Sequence, residues 1–118
     1  MNLEFKCNVL NVEDSYIPGV KILTMYCGRI SLKLDIYKDL NPVEKGDIVY
    51  IGVYKSLPPY NKGIDFVAQG YVVTKRKQND LVKIYISLWG YLVIISTADT
   101  EIENMFNPMD KVYVKIWK

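Results

Sequence analysis

The sequence predicts an all-β protein: an antiparallel barrel of about eight strands, of the oligonucleotide/oligosaccharide-binding (OB) type, with one short helix. Apolar residues alternate with polar ones along most of the chain, as in half-buried strands. Glycine- and proline-containing turns separate these runs at short intervals, and only Thr100–Phe106 carries helical signals. We expect residues 1–118 to form a single domain, because no repeat or linker divides them.

The strand at Ile30–Tyr37 shows the clearest alternation, with the sequence ISLKLDIY. Successive side chains of a strand point to opposite faces, so its four aliphatic residues share one buried face. Further strands are predicted at 3–9, 20–26, 47–54, 66–75, 81–89, 91–96 and 112–117. Glycines inside two of these strands, Gly52 and Gly70, suit the sharp bends of a small barrel.

Turn residues separate the predicted strands. Pro18-Gly19 has the sequence of a type II turn. Hairpin turns are predicted at Cys27–Arg29, at Trp89-Gly90 and at the polar tip Lys75–Asp80. The helix at Thr100–Phe106 opens with Thr100 and Glu103 in capping-box spacing, so Thr100 is the expected N-cap.

Composition excludes several classes of function. The chain has no histidine, so it cannot build a Ser-His or Cys-His nucleophile system, and two cysteines are too few for a structural Cys/His zinc site. Cys7 continues the apolar face of the first strand and is expected to be a core thiol. A disulfide with Cys27 is the alternative, which a reducing cytosol disfavours. We expect no cofactor and no catalytic residues.

Localisation follows from two segments. The N-terminus, with Glu4 and Lys6, alternates like a strand and does not resemble a signal peptide. The longest uncharged apolar run, YISLWGYLVIIS at Tyr85–Ser96, has 12 residues. A membrane helix needs ~20. We therefore expect a cytoplasmic protein without membrane contact.

That uncharged run is apolar in both phases of the alternation. Val82, Ile84, Ile86 and Leu88 fill one face, and Tyr85, Trp89, Leu92 and Ile94 make the other apolar too. Such a surface is typical of a partner interface. The alternative is a strand covered by the chain itself, for example by the Thr100–Phe106 segment.

Basic and aromatic residues suggest candidate contacts with single-stranded nucleic acid, whose bases stack on aromatic rings between cations. The candidates are Lys75, Arg76 and Lys77 at the hairpin tip, and Lys111, Tyr113, Lys115 and Trp117 on the outward face of the last strand. The same residue types also form solvated turns, cross-strand packing and protein interfaces. A net charge of +2 does not by itself indicate a nucleic-acid binder.

Four segments in order resemble the small eighth subunit shared by archaeal and eukaryotic multisubunit DNA-directed RNA polymerases, and are similar to its archaeal members. The segments are ISLKLDIY, NPVEKGDIVYIGV, DFVAQGYVV, and KIYISLWGYLVII leading to KVYVKIWK. Relatives typically have two glycines at Trp89-Gly90 and a basic residue at Ile94. Eukaryotic members carry a long insertion around Ser56–Asp65, where this chain has only SLPPYNKGID.

The resemblance implies a non-catalytic accessory subunit that docks on the rim of the largest catalytic subunit within a multisubunit complex. It assigns that contact to the Ser87–Ile95 hairpin, with Ser87, Trp89, Gly90, Tyr91, Leu92 and Ile94 as contact residues. The alternative function is a free-standing OB-type protein that binds single-stranded nucleic acid. Weak nucleic-acid contact is compatible with either function.

Overall fold

The computed structural model describes residues 2–41 and 43–118; Met1 and Pro42, which the predicted domain includes, lie outside the described residues. The strands are β1 (Asn2–Asp14), β2 (Val20–Tyr26), β3 (Ile30–Tyr37), β4 (Ile48–Tyr54), β5 (Phe66–Gln78), β6 (Leu81–Leu88), β7 (Tyr91–Thr97) and β8 (Lys111–Trp117). A 3₁₀ turn, Lys38–Leu40, follows β3, and helix α1, Thr100–Asn104, precedes β8. Neither helical element, nor any other in the described part, is long and apolar enough to cross a membrane.

The strands close into one antiparallel barrel in the order β1-β2-β3-β7-β6-β5-β8-β4, with β4 returning to β1. Strand β1 makes this closure: its first half pairs with β4 and its second half with β2, with a register shift between Val9 and Asn11. The predicted antiparallel barrel of eight strands with one short helix is confirmed. The OB type is usually described as a five-stranded, partly open barrel, so that finer assignment stays a prediction.

The core is filled by the inward-facing aliphatic side chains of all eight strands. Ile102 of α1 and Phe106 after it are fully buried in the same cluster. The apolar side chains of the helical segment therefore belong to the barrel core and are not available to cover the outward faces of β6 and β7.

Three sequence predictions about elements need correction. Strand β1 extends beyond the predicted 3–9 to Asn2–Asp14, and β5 extends to Gln78. The N-cap of α1 is Asp99, not Thr100, because the Asp99 side chain accepts hydrogen bonds from the backbone N–H groups of Glu101 and Ile102. The capping-box spacing between Thr100 and Glu103 suggested Thr100 as the N-cap. Asp99, one position earlier, instead accepts the hydrogen bonds of the free N–H groups at the start of the helix.

Cys7 and Cys27 form a disulfide, contrary to the expectation of unpaired thiols. The β1–β2 register pairs Asn8 with Tyr26, which brings the preceding and following cysteines together on the inward side. Both cysteines are buried, so the prediction that Cys7 belongs to the core is confirmed.

Candidate docking and nucleic-acid surfaces

The β6–β7 hairpin ends in the predicted two-residue turn. Leu88 pairs with Tyr91, and the intervening Trp89 and Gly90 have φ values of 55° and 94°. Positive φ at both central positions matches the twist of the flanking strands and is the type I′ pattern. The Ser87 hydroxyl accepts a hydrogen bond from the Gly90 N–H at 3.4 Å.

Trp89 lies at the tip of this hairpin with 81% of its surface exposed. The left-handed conformation brings Cβ too close to the backbone, which costs a non-glycine residue roughly 1–2 kcal/mol. An exposed indole also recovers little from packing. Trp89 therefore occupies a position where the backbone conformation favours glycine, although it is the most exposed aromatic residue of this hairpin.

The hairpin carries apolar side chains on both faces, as predicted, but only one face is fully buried. Val82, Ile84, Ile86 and Leu88 are buried, while outward-facing Tyr85, Leu92 and Ile94 are half-buried. Of the predicted contact residues, Trp89 and Gly90 are exposed, and Ser87, Leu92 and Ile94 lie on the outward face. Tyr91 departs from them because it packs against the core. Their contact with a partner stays a prediction.

Lys75, Arg76 and Lys77 lie on β5 and not at the hairpin tip as predicted. They pair with Ile84, Lys83 and Val82 of β6, so alternation sends Arg76 to the side opposite the two lysines. Lys75 Nζ donates to the Glu103 carbonyl at 3.3 Å, whereas the Arg76 guanidinium lies over the Tyr85 ring, 6.0 Å from its centroid. The three cations thus do not lie on one side of β5, and their contact with nucleic acid stays a prediction.

The outward side chains of β8 are largely engaged within the chain. Lys115 Nζ donates to the Pro59 carbonyl at 2.8 Å, lies 3.9 Å from Asp65 Oδ2, and keeps only 14% of its side chain exposed. It also lies 4.4 Å from the Trp117 ring centroid. Trp117 stacks on Tyr50 of β4, with centroids 5.6 Å apart. At the start of the strand, Lys111 is exposed and lies over the half-buried Tyr113 at 5.8 Å.

Sequence reasoning missed two features of these surfaces. Tyr50 completes the stacked pair with Trp117, although the two lie far apart in sequence. Lys33 of β3 lies beside Ile94, and Lys83 of β6 lies opposite Arg76. No sequence signal reports these neighbours, because cross-strand register depends on the barrel order.

Carboxylates with shifted pKa values belong to caps and turns. The hydrogen bond from Arg29 lowers the pKa of Asp99, and the hydrogen bond from Lys55 lowers the pKa of Asp110. Asp110 also accepts from the Asn107 N–H at 2.9 Å. These groups are structural ion pairs. The described residues bring no three Cys, Asp or Glu side chains together as a metal site.

The family model for the G subunit of DNA-directed RNA polymerase matches residues 2–118.

The chain belongs to this family. Its membership confirms the predicted assignment to an RNA polymerase subunit, and a family of polymerase subunits implies a multisubunit complex. No curated protein matches the chain.

Among solved structures, the chain is similar to a cytoplasmic molybdate-binding protein, ModG, in its molybdate-bound form. The identity is 13%, the TM-score is 0.39, and the match covers 98% of this chain and 89% of that one. A likeness at this level assigns no ligand or function to this RNA polymerase subunit.

Proposed function

We propose that this chain is a non-catalytic accessory subunit of an archaeal DNA-directed RNA polymerase, corresponding to the eighth subunit of the eukaryotic enzymes. It docks on the largest catalytic subunit through the β6–β7 hairpin and stabilises or assembles the enzyme. Polymerisation belongs to the large subunits, since this chain has no histidine and its shifted carboxylates serve caps and turns.

The observation that carries the proposal is Trp89. Tryptophan is enriched among the residues that dominate binding energy at interfaces. At the hairpin tip it is 81% exposed and has φ 55°, so the isolated fold gains little from it. Unusual backbone conformations persist where function uses them. A partner pocket that receives the indole supplies that use, and outward-facing Leu92 and Ile94 extend the apolar contact along β7.

The disulfide is compatible with an archaeal cytoplasm. Disulfides are rare in most cytosols, but intracellular proteins of hyperthermophilic archaea are rich in them. Cys7 and Cys27 are both buried, which protects the bond from soluble reductants. A polymerase subunit lies in the cytoplasm, where disulfides are otherwise rare. A thermophilic archaeal source would therefore explain why Cys7 and Cys27 are bonded.

Trp89→Gly tests the docking. The chain is expressed with the largest catalytic subunit of the polymerase from the same source, and the co-purified amounts are compared. The wild type is expected to co-purify, and the variant to bind roughly thirtyfold more weakly or worse, since interface anchors contribute about 2 kcal/mol or more and each step of about 1.4 kcal/mol is tenfold in affinity. The stability of the isolated variant should be unchanged or slightly higher, because glycine removes the cost of the left-handed conformation.

Met109→Gly is the matched control. Met109 is 80% exposed and has φ 75° in the turn before β8, so the substitution brings the same backbone relief outside the hairpin. Its binding should equal that of the wild type. Recovery of the wild-type chain as a free monomer would contradict the proposed docking. If Trp89→Gly bound the largest subunit as tightly as the wild type does, the hairpin tip would not be part of the interface.

Weak contact with single-stranded nucleic acid is the second candidate function, and the Tyr50–Trp117 pair with Lys115 beside it favours this function. Titration with a labelled oligonucleotide at two salt concentrations tests it. Binding through phosphates should weaken with a log–log slope of about 0.7 per phosphate neutralised. Trp117→Ala should weaken the complex, and the absence of any complex at low salt would exclude this function.

A further inference from the structure

The outward side of β3, β7, β6 and β5 carries a surface that combines cations with apolar side chains. We call it the basic–apolar face and define it by Lys33, Lys83, Arg76, Tyr85, Leu92 and Ile94. Register places Lys33 beside Ile94 and Ile94 beside Tyr85 in one row across the barrel. The next row runs from Ser96 through Lys83 to Arg76.

The three cations of this face have no carboxylate partner within the described part of the chain. The ion pairs there engage other basic residues: Lys21, Arg29, Lys55, Lys115 and Lys118. Lys33 and Arg76 are exposed, and Lys83 is half-buried. This part of the barrel therefore presents positive charge that no ion pair among the described residues engages.

Lys83 and Arg76 also lie directly opposite each other on β6 and β5. Like charges at directly opposed positions of an antiparallel pair destabilise the sheet. The Arg76 guanidinium lies over the Tyr85 ring, and this cation–π contact offsets part of the repulsion. The isolated fold thus gains nothing from this pair of cations, whereas an acidic group from outside would bind both.

The apolar half of the face favours a protein over a nucleic acid. Leu92 and Ile94 offer aliphatic side chains, which bind apolar side chains well but do not stack with bases. The aromatic ring of the face, Tyr85, is half-buried and has the Arg76 guanidinium over it. Asp35 lies at the Leu92 end, where its carboxylate accepts the Leu92 N–H at 3.3 Å. A phosphate backbone running along the face would be repelled by the Asp35 carboxylate. A peptide segment whose acidic side chains lie only at the Lys33–Lys83–Arg76 end would avoid this repulsion.

We propose that the basic–apolar face binds a segment of the largest catalytic subunit whose apolar side chains are flanked by Asp or Glu carboxylates. The inference rests on the proposed function and adds the chemistry of the partner. The face shares β6 and β7 with the Trp89 hairpin, so a single partner surface spans both. Apolar contact supplies most of the affinity, and the carboxylates set orientation and association rate.

Carbodiimide cross-linking of the complex between this chain and the largest subunit tests the chemistry directly. The reagent activates a carboxylate, and a neighbouring lysine amine then displaces the activated group to form an amide. Mass spectrometry should find Lys33 or Lys83 joined to an Asp or Glu of the partner. In Lys33→Arg/Lys83→Arg, which keeps the charge but lacks the amine, these cross-links should disappear while binding persists.

Charge reversal tests the energetics. Lys33→Glu/Lys83→Glu should weaken binding about tenfold, because two attractive contacts become repulsive. The isolated variant should melt no lower than the wild type, since the carboxylate introduced at position 83 would face Arg76 as an opposite charge. Lys6→Glu/Lys45→Glu is the matched control: both lysines are exposed and lie on β1 and just before β4, away from β6 and β7 in the strand order. It should leave binding unchanged.

The outcomes separate the two proposals. If the wild type does not bind the largest subunit, the proposed function fails. If the wild type binds and Trp89→Gly weakens it, but charge reversal has no effect and no lysine of the face is cross-linked, only the basic–apolar proposal is overturned. If charge reversal instead abolishes binding to a labelled single-stranded oligonucleotide and leaves subunit binding intact, the face is a nucleic-acid surface and the proposal is also overturned.

Discussion

Gly52 and Gly70 show how single residues fix the shape of the barrel wall. A Cβ on Gly70 would lie 2.2 Å from the backbone oxygen of Ser87, so glycine allows β5 to approach β6 at this point. A Cβ on Gly52 would lie 2.2 Å from the hydroxyl of Tyr54, whose ring folds back over the glycine and is buried. Burial, and then the hydrogen bond to Glu4, raise the pKa of Tyr54, so its phenol stays neutral.

The two glycines should differ in their tolerance of alanine. Gly70→Ala must displace the backbone of β6, and we expect a loss of about 3 kcal/mol in the free energy of unfolding. Gly52→Ala displaces only the end of the Tyr54 side chain, and the loss should be about 1–2 kcal/mol. Urea denaturation of both variants measures the difference. Equal losses would show that the Ser87 backbone yields as readily as the Tyr54 ring.

At the scale of elements, an ion pair and a disulfide connect neighbouring elements of the barrel. Asp99 caps α1, and its carboxylate also pairs with Arg29 in the β2–β3 turn. This contact holds the helical segment, with buried Ile102 and Phe106, against the barrel end. The Cys7–Cys27 disulfide joins β1 to the residue that follows β2, near the point where β1 changes partner from β4 to β2.

Asp99→Ala should lower the free energy of unfolding at pH 7. The folded state holds the pKa of Asp99 below its ordinary value, first through the hydrogen bond from Arg29. A carboxyl with a depressed pKa stabilises the fold above its unfolded pKa of about 3.9 and loses that effect as pH falls through the folded pKa. The wild type and the variant should therefore converge below about pH 4. Thermal unfolding from about pH 7 to about pH 2.5 measures this, and a constant difference would contradict it.

Reduction of the disulfide should lower the free energy of unfolding by about 3 kcal/mol, the chain-entropy value for a loop of roughly 20 residues. Denaturation with and without dithiothreitol measures the loss. Cys7→Ala/Cys27→Ala should be insensitive to the reductant. If the chain is denatured without reductant and two thiols then react with a thiol reagent, the cysteines are not bonded.

At the scale of the whole molecule, β8 completes the barrel wall by joining β5 to β4. It lies between β5 and β4, and its inward residues Val112, Val114 and Ile116 are fully buried. Without it, both neighbouring strands would become open edges with unpaired N–H and C=O groups. Closure and the core thus depend on the last strand in the sequence.

Deletion of residues 111–118 should abolish cooperative unfolding, because it removes three core side chains and two ladders of hydrogen bonds at once. We expect a chain that binds a hydrophobic dye and aggregates. Deletion of Lys118 alone is the control, since this residue is exposed and follows β8. A cooperative thermal transition in the longer deletion would contradict the closing role of β8.

Alternation in the sequence was sufficient to predict the positions of the strands and their inward faces, although not the full lengths of β1 and β5. In β3, Ile30, Leu32, Leu34 and Ile36 are all buried, as the period of two requires. The Pro18-Gly19 turn is also as predicted: Gly19 has φ 80°, and the Val20 N–H donates to the Ile17 carbonyl at 3.1 Å. These features depend on neighbours in sequence, so local chemistry decides them.

The sites were less predictable because they depend on neighbours across strands. The sequence places Lys75, Arg76 and Lys77 side by side, but β5 continues through them and sends Arg76 to the face opposite the lysines. It presents Lys115 as a free cation, but the segment after β4 covers it with Pro59 and Asp65. Register and loop paths are set by packing of the whole barrel.

By itself, the sequence determined an antiparallel barrel, its inward faces, the short helix and an apolar hairpin around Gly90, since each follows from the period of side chains and the conformations that turn residues allow. Only the tertiary structure decided that Cys7 meets Cys27, that Tyr50 stacks on Trp117, and that Lys33 lies beside Ile94 with Lys83 and Arg76 in the next row. These pairs are distant in sequence and become neighbours only when the strand order closes, because closure of the barrel fixes the register of every strand at once.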